Sequence, residues 1–197
     1  MKIKKYLLAS VLVIVFAGAF AVFRVGVGRS GPSSALPVIA DLGGDFELSR
    51  AAGARVRLQD YRGQVVLLFF GYTHCPDICP TTLHTLKLAV EKLSKAAEQV
   101  QVIMVTVDPE RDSPEHLERY VRYFHPRFVG LSGTTKQIDR VAQQYRAHHQ
   151  RGKPAPGGYS VSHSGYIYLL DKDGRVRALF GAGAKQADIA DGVRQLL

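Results

Sequence analysis

Cysteine is scarce in this sequence: two residues in 197 allow at most one bridge, which excludes a disulfide-dense mini-protein. Internal repeats are absent, and the only low-complexity stretches are a Ser/Gly/Pro segment at 30–34 and a Gly/Pro-rich loop at 152–158. Fibrous, collagen-like and fully disordered classes are therefore excluded, while 197 residues suffice for one domain with a real core. Acidic residues are missing before Asp41, a stretch that holds Lys2, Lys4, Lys5, Arg24 and Arg29. Those five carry more than half of the formal net charge of +9. The surplus forms no recognition stretch of interleaved basic and aromatic residues, which argues against a nucleic-acid partner.

Between Lys5 and Arg24 runs an uncharged apolar segment, Tyr6–Phe23, of 18 residues. As a helix it would span roughly 27 Å, close to the ~30 Å hydrocarbon layer of a bilayer. Two fates fit it. Its length is that of a retained anchor, and Ala17, Ala19 and Ala21 offer the small-residue spacing of a cleaved signal peptide. Three lysines ahead of the run face two arginines behind it. The positive-inside rule then keeps the N-terminus cytoplasmic and exports the remainder, placing the protein in a bacterial inner membrane with its bulk on the periplasmic side. With no cysteine near the run, lipid attachment through an N-terminal Cys is excluded. The organisation expected is a membrane anchor or signal peptide over 1–24, a flexible tether over 25–35 and a folded domain over 36–197.

Gln64–Phe70 is a continuous β-branched and aromatic run bounded by Gly63 and Gly71, which predicts a strand buried on both faces. After Pro80, Leu83, Leu86, Val90 and Leu93 recur at helical spacing. Val100–Val107 predicts a second strand. Ser113 followed by Pro114 marks a helix start, with that helix reaching about Phe124. A short strand over 128–131 follows, and Thr134 with Gln137 has capping-box spacing ahead of a helix to about Tyr145. Tyr166–Leu170 and Val176–Phe180 flank the turn-forming Asp171-Lys-Asp-Gly174 and predict a hairpin, in which Tyr166 and Tyr168 are strand-packing residues. A last helix is expected over about 186–196, and Phe46–Leu58 suggests an earlier hairpin. This order points to an α/β sandwich with a central mixed sheet.

Both cysteines fall in Gly71-Tyr-Thr-His-Cys75-Pro-Asp-Ile-Cys79-Pro80, between the first long strand and the first long helix, where open α/β sheets build their sites. Spacing of i, i+4 would bring the sulfurs to one face of a helical turn, to form a bridge or grip an ion. Positive partial charge at a helix N-terminus would favour their thiolates. A purely structural bridge over so short a gap would remove little chain entropy. Two thiolates underfill a metal site, so a third ligand is needed from the histidines at 74, 84, 116, 125, 148, 149 and 163.

Three segments in register, Phe70–Pro80, Val105-Thr-Val-Asp-Pro-Glu-Arg-Asp-Ser-Pro114 and Tyr159-Ser-Val-Ser-His163-Ser, resemble the Sco/SenC family from about Leu36 to the C-terminus. The resemblance implies a thioredoxin-like fold preceded by one N-terminal transmembrane helix, and copper, as Cu(I) or Cu(II), bound by Cys75, Cys79 and His163. It further implies a role in assembling the binuclear copper centre of cytochrome c oxidase, by delivering copper, by reducing that centre's cysteines, or both. The partners expected are the copper-site subunit of the oxidase, another copper chaperone or a thiol reductant, and the membrane through residues 6–23. Asp108 is expected at the same sheet edge, either as a turn residue before Pro109 or as an acceptor that orients His163 or tunes its basicity. The family often has Asp before the ligand histidine, where this chain has Ser162. His74 and Asp77 flank the thiols, and His148 with His149 borders a basic loop, Arg146–Lys153, that could be solvated or form a docking surface.

The competing reading from the residues is a thiol-disulfide oxidoreductase acting on exported proteins through Cys75 and Cys79, hence an enzyme rather than a metallochaperone. Against it, C-x-x-C is absent, and Ser162, His163 and Ser164 stand where a thioredoxin-like enzyme carries a proline. A blander alternative is an exported binding module with one structural disulfide.

Overall fold

The structure is a computed structural model that describes residues 36–197 apart from 155 and 157. A small antiparallel hairpin, β1 (Glu47–Ser49) and β2 (Arg55–Arg57), comes first, as the sequence predicts. Then follow β3 (Val65–Gly71), α1 (Ile78–Glu91), β4 (Val100–Thr106), α2 (Pro114–Phe124), β5 (Val129–Leu131) and α3 (Thr135–Gln144). A second small hairpin, β6 (His149–Arg151) and β7 (Val161–His163), precedes β8 (Ile167–Leu170), β9 (Val176–Phe180) and α4 (Gln186–Arg194). Among the described residues no helix is long and apolar enough to cross a membrane. The run at 6–23 lies outside them.

Five strands form the central sheet in the order β5-β4-β3-β8-β9. β3, β4 and β5 are parallel neighbours, and β8 runs antiparallel to both β3 and β9. The mixed sheet read from the element order is therefore the one found. β3 lies at its centre, and all seven of its residues are buried. Alternation divides them between two cores. Val66, Leu68 and Phe70 pack with Ile138 and Val141 of α3 and with Tyr145 just after it, whereas Val65, Leu67 and Phe69 pack with Leu83 and Leu86 of α1, Leu117 of α2 and Ile189 of α4.

Local chemistry agrees with the sheet. Ser113 caps α2 by accepting from the His116 N–H at 3.2 Å, and Pro114 takes its first turn. Thr134 and Gln137 form the expected capping box on α3. At the β8–β9 turn the Asp171 carboxylate accepts from the N–H groups of Asp173 (3.0 Å) and Arg175 (2.9 Å), and Gly174 supplies the positive φ of 74° that closes it. Tyr168 is buried strand packing as expected, within van der Waals range of Phe70 and Tyr145 in an aromatic triad, but Tyr166 precedes the strand and is exposed.

One element differs in kind from its sequence reading. Residues around His148 and His149, taken for a solvated basic loop, include strand β6, which pairs with β7 so that His149 lies opposite His163. Neither strand shows apolar alternation, because the hairpin lies outside the central sheet and its short strands bury little.

Candidate metal centre

At the carboxyl end of β3 the chain leaves the sheet in a tight turn, with the Cys75 N–H donating to the Tyr72 carbonyl at 3.3 Å. Helix α1 begins at Ile78, two residues before Pro80, which its first turn tolerates because those N–H groups have no partner within the helix. Cys79 thus sits in that turn and is wholly buried, while Cys75 lies ahead of the helix and is half-buried. The two are not on one helical face as the spacing suggests; the turn after β3 brings them together. Gly71 makes room: a Cβ there would lie 2.9 Å from Cys79 Sγ. Both cysteines are free thiols.

His163, at the end of β7, closes the group. Its Nε2 is 3.4 Å from Cys79 Sγ, and one donor atom from each of Cys75, Cys79 and His163 lies within 4.8 Å of the others. An ion roughly 2.0–2.3 Å from each of three donors holds them about 4 Å apart, so the spacing fits one metal ion. The Ser164 carbonyl lies 3.1 Å from His163 Nδ1. A carbonyl only accepts, so Nδ1 carries the proton and the Nε2 lone pair faces the sulfur. The Tyr72 ring meets the imidazole edge-on at 5.7 Å, and the Tyr72 hydroxyl accepts from the Val161 N–H at 3.3 Å.

Electrostatics favour the neutral forms of Cys79 and His163. Burial holds His163 below its ordinary range, against the Ser164 carbonyl, with His149 adding to the depression. Burial likewise pushes the Cys79 thiol far up; the Tyr72 backbone N–H opposes this, and the neighbouring Cys75 adds to it. The helix N-terminus that would favour a thiolate is therefore outweighed at Cys79 by desolvation. A cation bound there would supply the missing positive charge and displace the thiol proton. Two sulfurs and one imidazole make a soft set that suits copper, whereas structural zinc ordinarily closes a fourth position.

The other sequence candidates fall elsewhere. Asp108 lies at this end of the sheet and is buried, but its carboxylate is taken by Arg111 and by the Tyr159 hydroxyl at 2.7 Å. The expected role of orienting His163 belongs to the Ser164 carbonyl instead. His74 is exposed, stacks on His116 and lies 3.8 Å from Asp112. Asp77 is exposed at the start of α1. His149 faces Asp139 at 3.2 Å. Sequence reasoning missed Asp112, which is wholly buried and accepts from the Thr73 N–H (3.0 Å), the Thr73 hydroxyl (2.5 Å) and the Thr106 hydroxyl (2.7 Å). It thereby fastens the cysteine loop to β4. It also missed Tyr72, Arg111 and Tyr159. All four lie inside the three segments that carried the resemblance, the only signal that could have found them.

The chain is 43% identical to the human "Protein SCO2 homolog, mitochondrial" over 155 residues, covering 77% of this chain and 58% of that protein. It therefore spans about three-fifths of the length of that curated relative. Among solved structures, Arabidopsis thaliana ScoI with copper bound superposes with a TM-score of 0.74 at 35% identity, covering 78% of this chain and 97% of that one. Bradyrhizobium japonicum ScoI with copper bound gives 0.73 at 36%, covering 79% and 99%. These likenesses carry the thioredoxin-like α/β fold. Residues 36–197 match SCO1/SenC throughout, and the chain belongs to the SCO1/SenC family.

Proposed function

We propose that this protein is a membrane-tethered copper chaperone that helps assemble the binuclear copper centre of cytochrome c oxidase, delivering copper, reducing that centre's cysteines, or both. The observation that carries the reading is the convergence of Cys75, Cys79 and His163 donor atoms within 4.8 Å, with the unprotonated Nε2 aimed at a sulfur. Relatives solved with copper bound support it. In this reading the three residues are the copper ligands, and copper is cargo. Three donors hold an ion that a partner can remove, by exchanging its ligands for theirs one at a time.

Residues 1–24 serve as the anchor, 25–35 as the tether and 36–197 as the copper-binding domain, exported from a bacterial inner membrane. The partners are the copper-site subunit of the oxidase and an upstream copper chaperone or thiol reductant. If cysteines are reduced, the Cys75–Cys79 dithiol gives two electrons and two protons to a partner disulfide and itself becomes the disulfide. A dedicated thiol-disulfide oxidoreductase is the weaker reading, because C-x-x-C is absent and relatives solved with copper bound favour a metal site over a dithiol alone.

Titration of the reduced protein with copper tests the proposal. One copper per chain is expected, with thiolate and imidazole ligation by X-ray absorption. Absence of binding, or equal affinity after His163→Ala, would overturn it.

A further inference from the structure

The copper reading leaves open what holds His163 in place. Cys75 and Cys79 are seated on the central sheet, but the β6–β7 hairpin that carries His163 shares no strand pairing with that sheet. One cluster fastens both hairpin strands to the loop after β4. The Tyr159 hydroxyl donates to Asp108 Oδ1 at 2.7 Å, and the guanidinium carbons of Arg111 and Arg151 each lie 3.7 Å from the Tyr159 ring centroid. Arg111 also pairs with Asp108, and Arg151 Nη1 pairs with Glu110 at 2.7 Å. Arg151 belongs to β6, Tyr159 stands two residues before β7, and Asp108, Glu110 and Arg111 follow β4. Among the described residues Arg111 Nη2 is buried with no hydrogen-bond partner, and the guanidinium lies on that ring.

We infer that Tyr159, gripped by Arg111 and Asp108, is a positioning latch for His163. Closed, it keeps the imidazole at the cysteine pair. Opened, it lets the hairpin carry Nε2 away, so that the metal–nitrogen bond breaks, the lone pair returns to Nε2, and copper stays on two thiolates within reach of an incoming ligand. No electron or proton is exchanged in this step. The inference rests on the copper reading and deepens it by naming the ligand that leaves first and the residues that time its departure.

The test uses the full chain in detergent, as parent, Tyr159→Phe, Arg111→Lys and His163→Ala, with both latch variants also made on His163→Ala. Copper loss to excess Cu(I) chelator should quicken roughly tenfold in Tyr159→Phe, the cost of one charge-assisted hydrogen bond. On the His163→Ala background the same change should have no effect. An unchanged rate, or equal quickening on both backgrounds, would overturn the latch, since it would then act on the cysteines or on general stability. A metal-free measurement separates this inference from the copper reading. Amide hydrogen exchange at Val161, whose N–H donates from the hairpin to the Tyr72 hydroxyl, should quicken in Tyr159→Phe while the amides of α1 keep their protection. If the parent binds no copper, the copper reading fails, and hairpin exchange alone then decides the latch: unchanged exchange overturns it. Arg111→Lys keeps the charge but loses the flat stack. It should give the same pattern, which keeps the test decisive should Tyr159→Phe fold poorly.

Discussion

Cys79 and His163 stand 3.4 Å apart and are held by unlike means. Cys79 is at zero exposure in the first turn of α1, pressed against Gly71 at the end of a strand whose every residue is buried. His163 ends a three-residue strand of a peripheral hairpin, fastened by side chains: a tyrosine hydroxyl, an aromatic ring between guanidiniums and a few ion pairs. Cys79 inherits its position from the core, whereas His163 is held by the buried Val161 two residues before it and otherwise by polar contacts at the rim. Core packing is strong and collective, while exposed ion pairs each contribute little.

The sharpest way to break this comparison is to remove one ligand from each side. Cys79→Ser should lower copper affinity by more than the ~100-fold typical of outer-sphere changes and leave no residual centre. His163→Ala should weaken binding less and leave a two-thiolate species without imidazole scattering. Equal losses in a competition titration would mean that both sides are equally fixed.

Stability should divide in the same way. Phe70→Ala, which empties a site shared with Tyr145 and Tyr168, should cost about 3–5 kcal/mol in urea unfolding. Gln150→Ala, exposed on β6, should stay within about 0.5 kcal/mol. A large loss at Gln150 would make the hairpin part of the cooperative core.

Cys79 and His163 also set opposite pH limits on the metal-free protein. Folding holds the Cys79 thiol above its unfolded value of about 8.5, so the native state keeps a proton that the unfolded chain releases. That contribution is whole below about pH 8.5 and is lost as pH rises beyond it. His163 is depressed below about 6.5, so its contribution is present above that pH and is lost as pH falls. Thermal melts of the reduced protein should therefore peak between these limits. Cys79→Ala should flatten the alkaline side, and His163→Ala the acid side. A lost cap on α3, Thr134→Ala, remote from both Cys79 and His163, should cost about 1 kcal/mol in urea unfolding.

Legibility in the sequence followed the same boundary. Strand β3, the caps at Ser113 and Thr134 and the turn at Gly174 are written in local chemistry, and the structure has them within a residue or two. The β6–β7 hairpin is not, since His149-Gln-Arg151 and Val161-Ser-His163 are too short and too polar to show a period. The helix-dipole expectation for Cys79 failed because the sequence displays the helix start but not the burial, and burial dominates. Asp108 was placed at the right edge of the sheet but given the wrong neighbour, since a side chain's choice among Arg111, Tyr159 and His163 depends on how two distant segments meet.

By itself the sequence determined the fold class, the order of elements, and the family to which its three segments point, because runs of buried residues, caps and turns act over a few neighbouring positions. Only the tertiary structure decided that the lone pair of His163 faces Cys79, that the Cys79 thiol keeps its proton, and that His163 stands on a small hairpin outside the central sheet. Those depend on desolvation and on side chains 84 residues apart, quantities that exist only once the chain has folded.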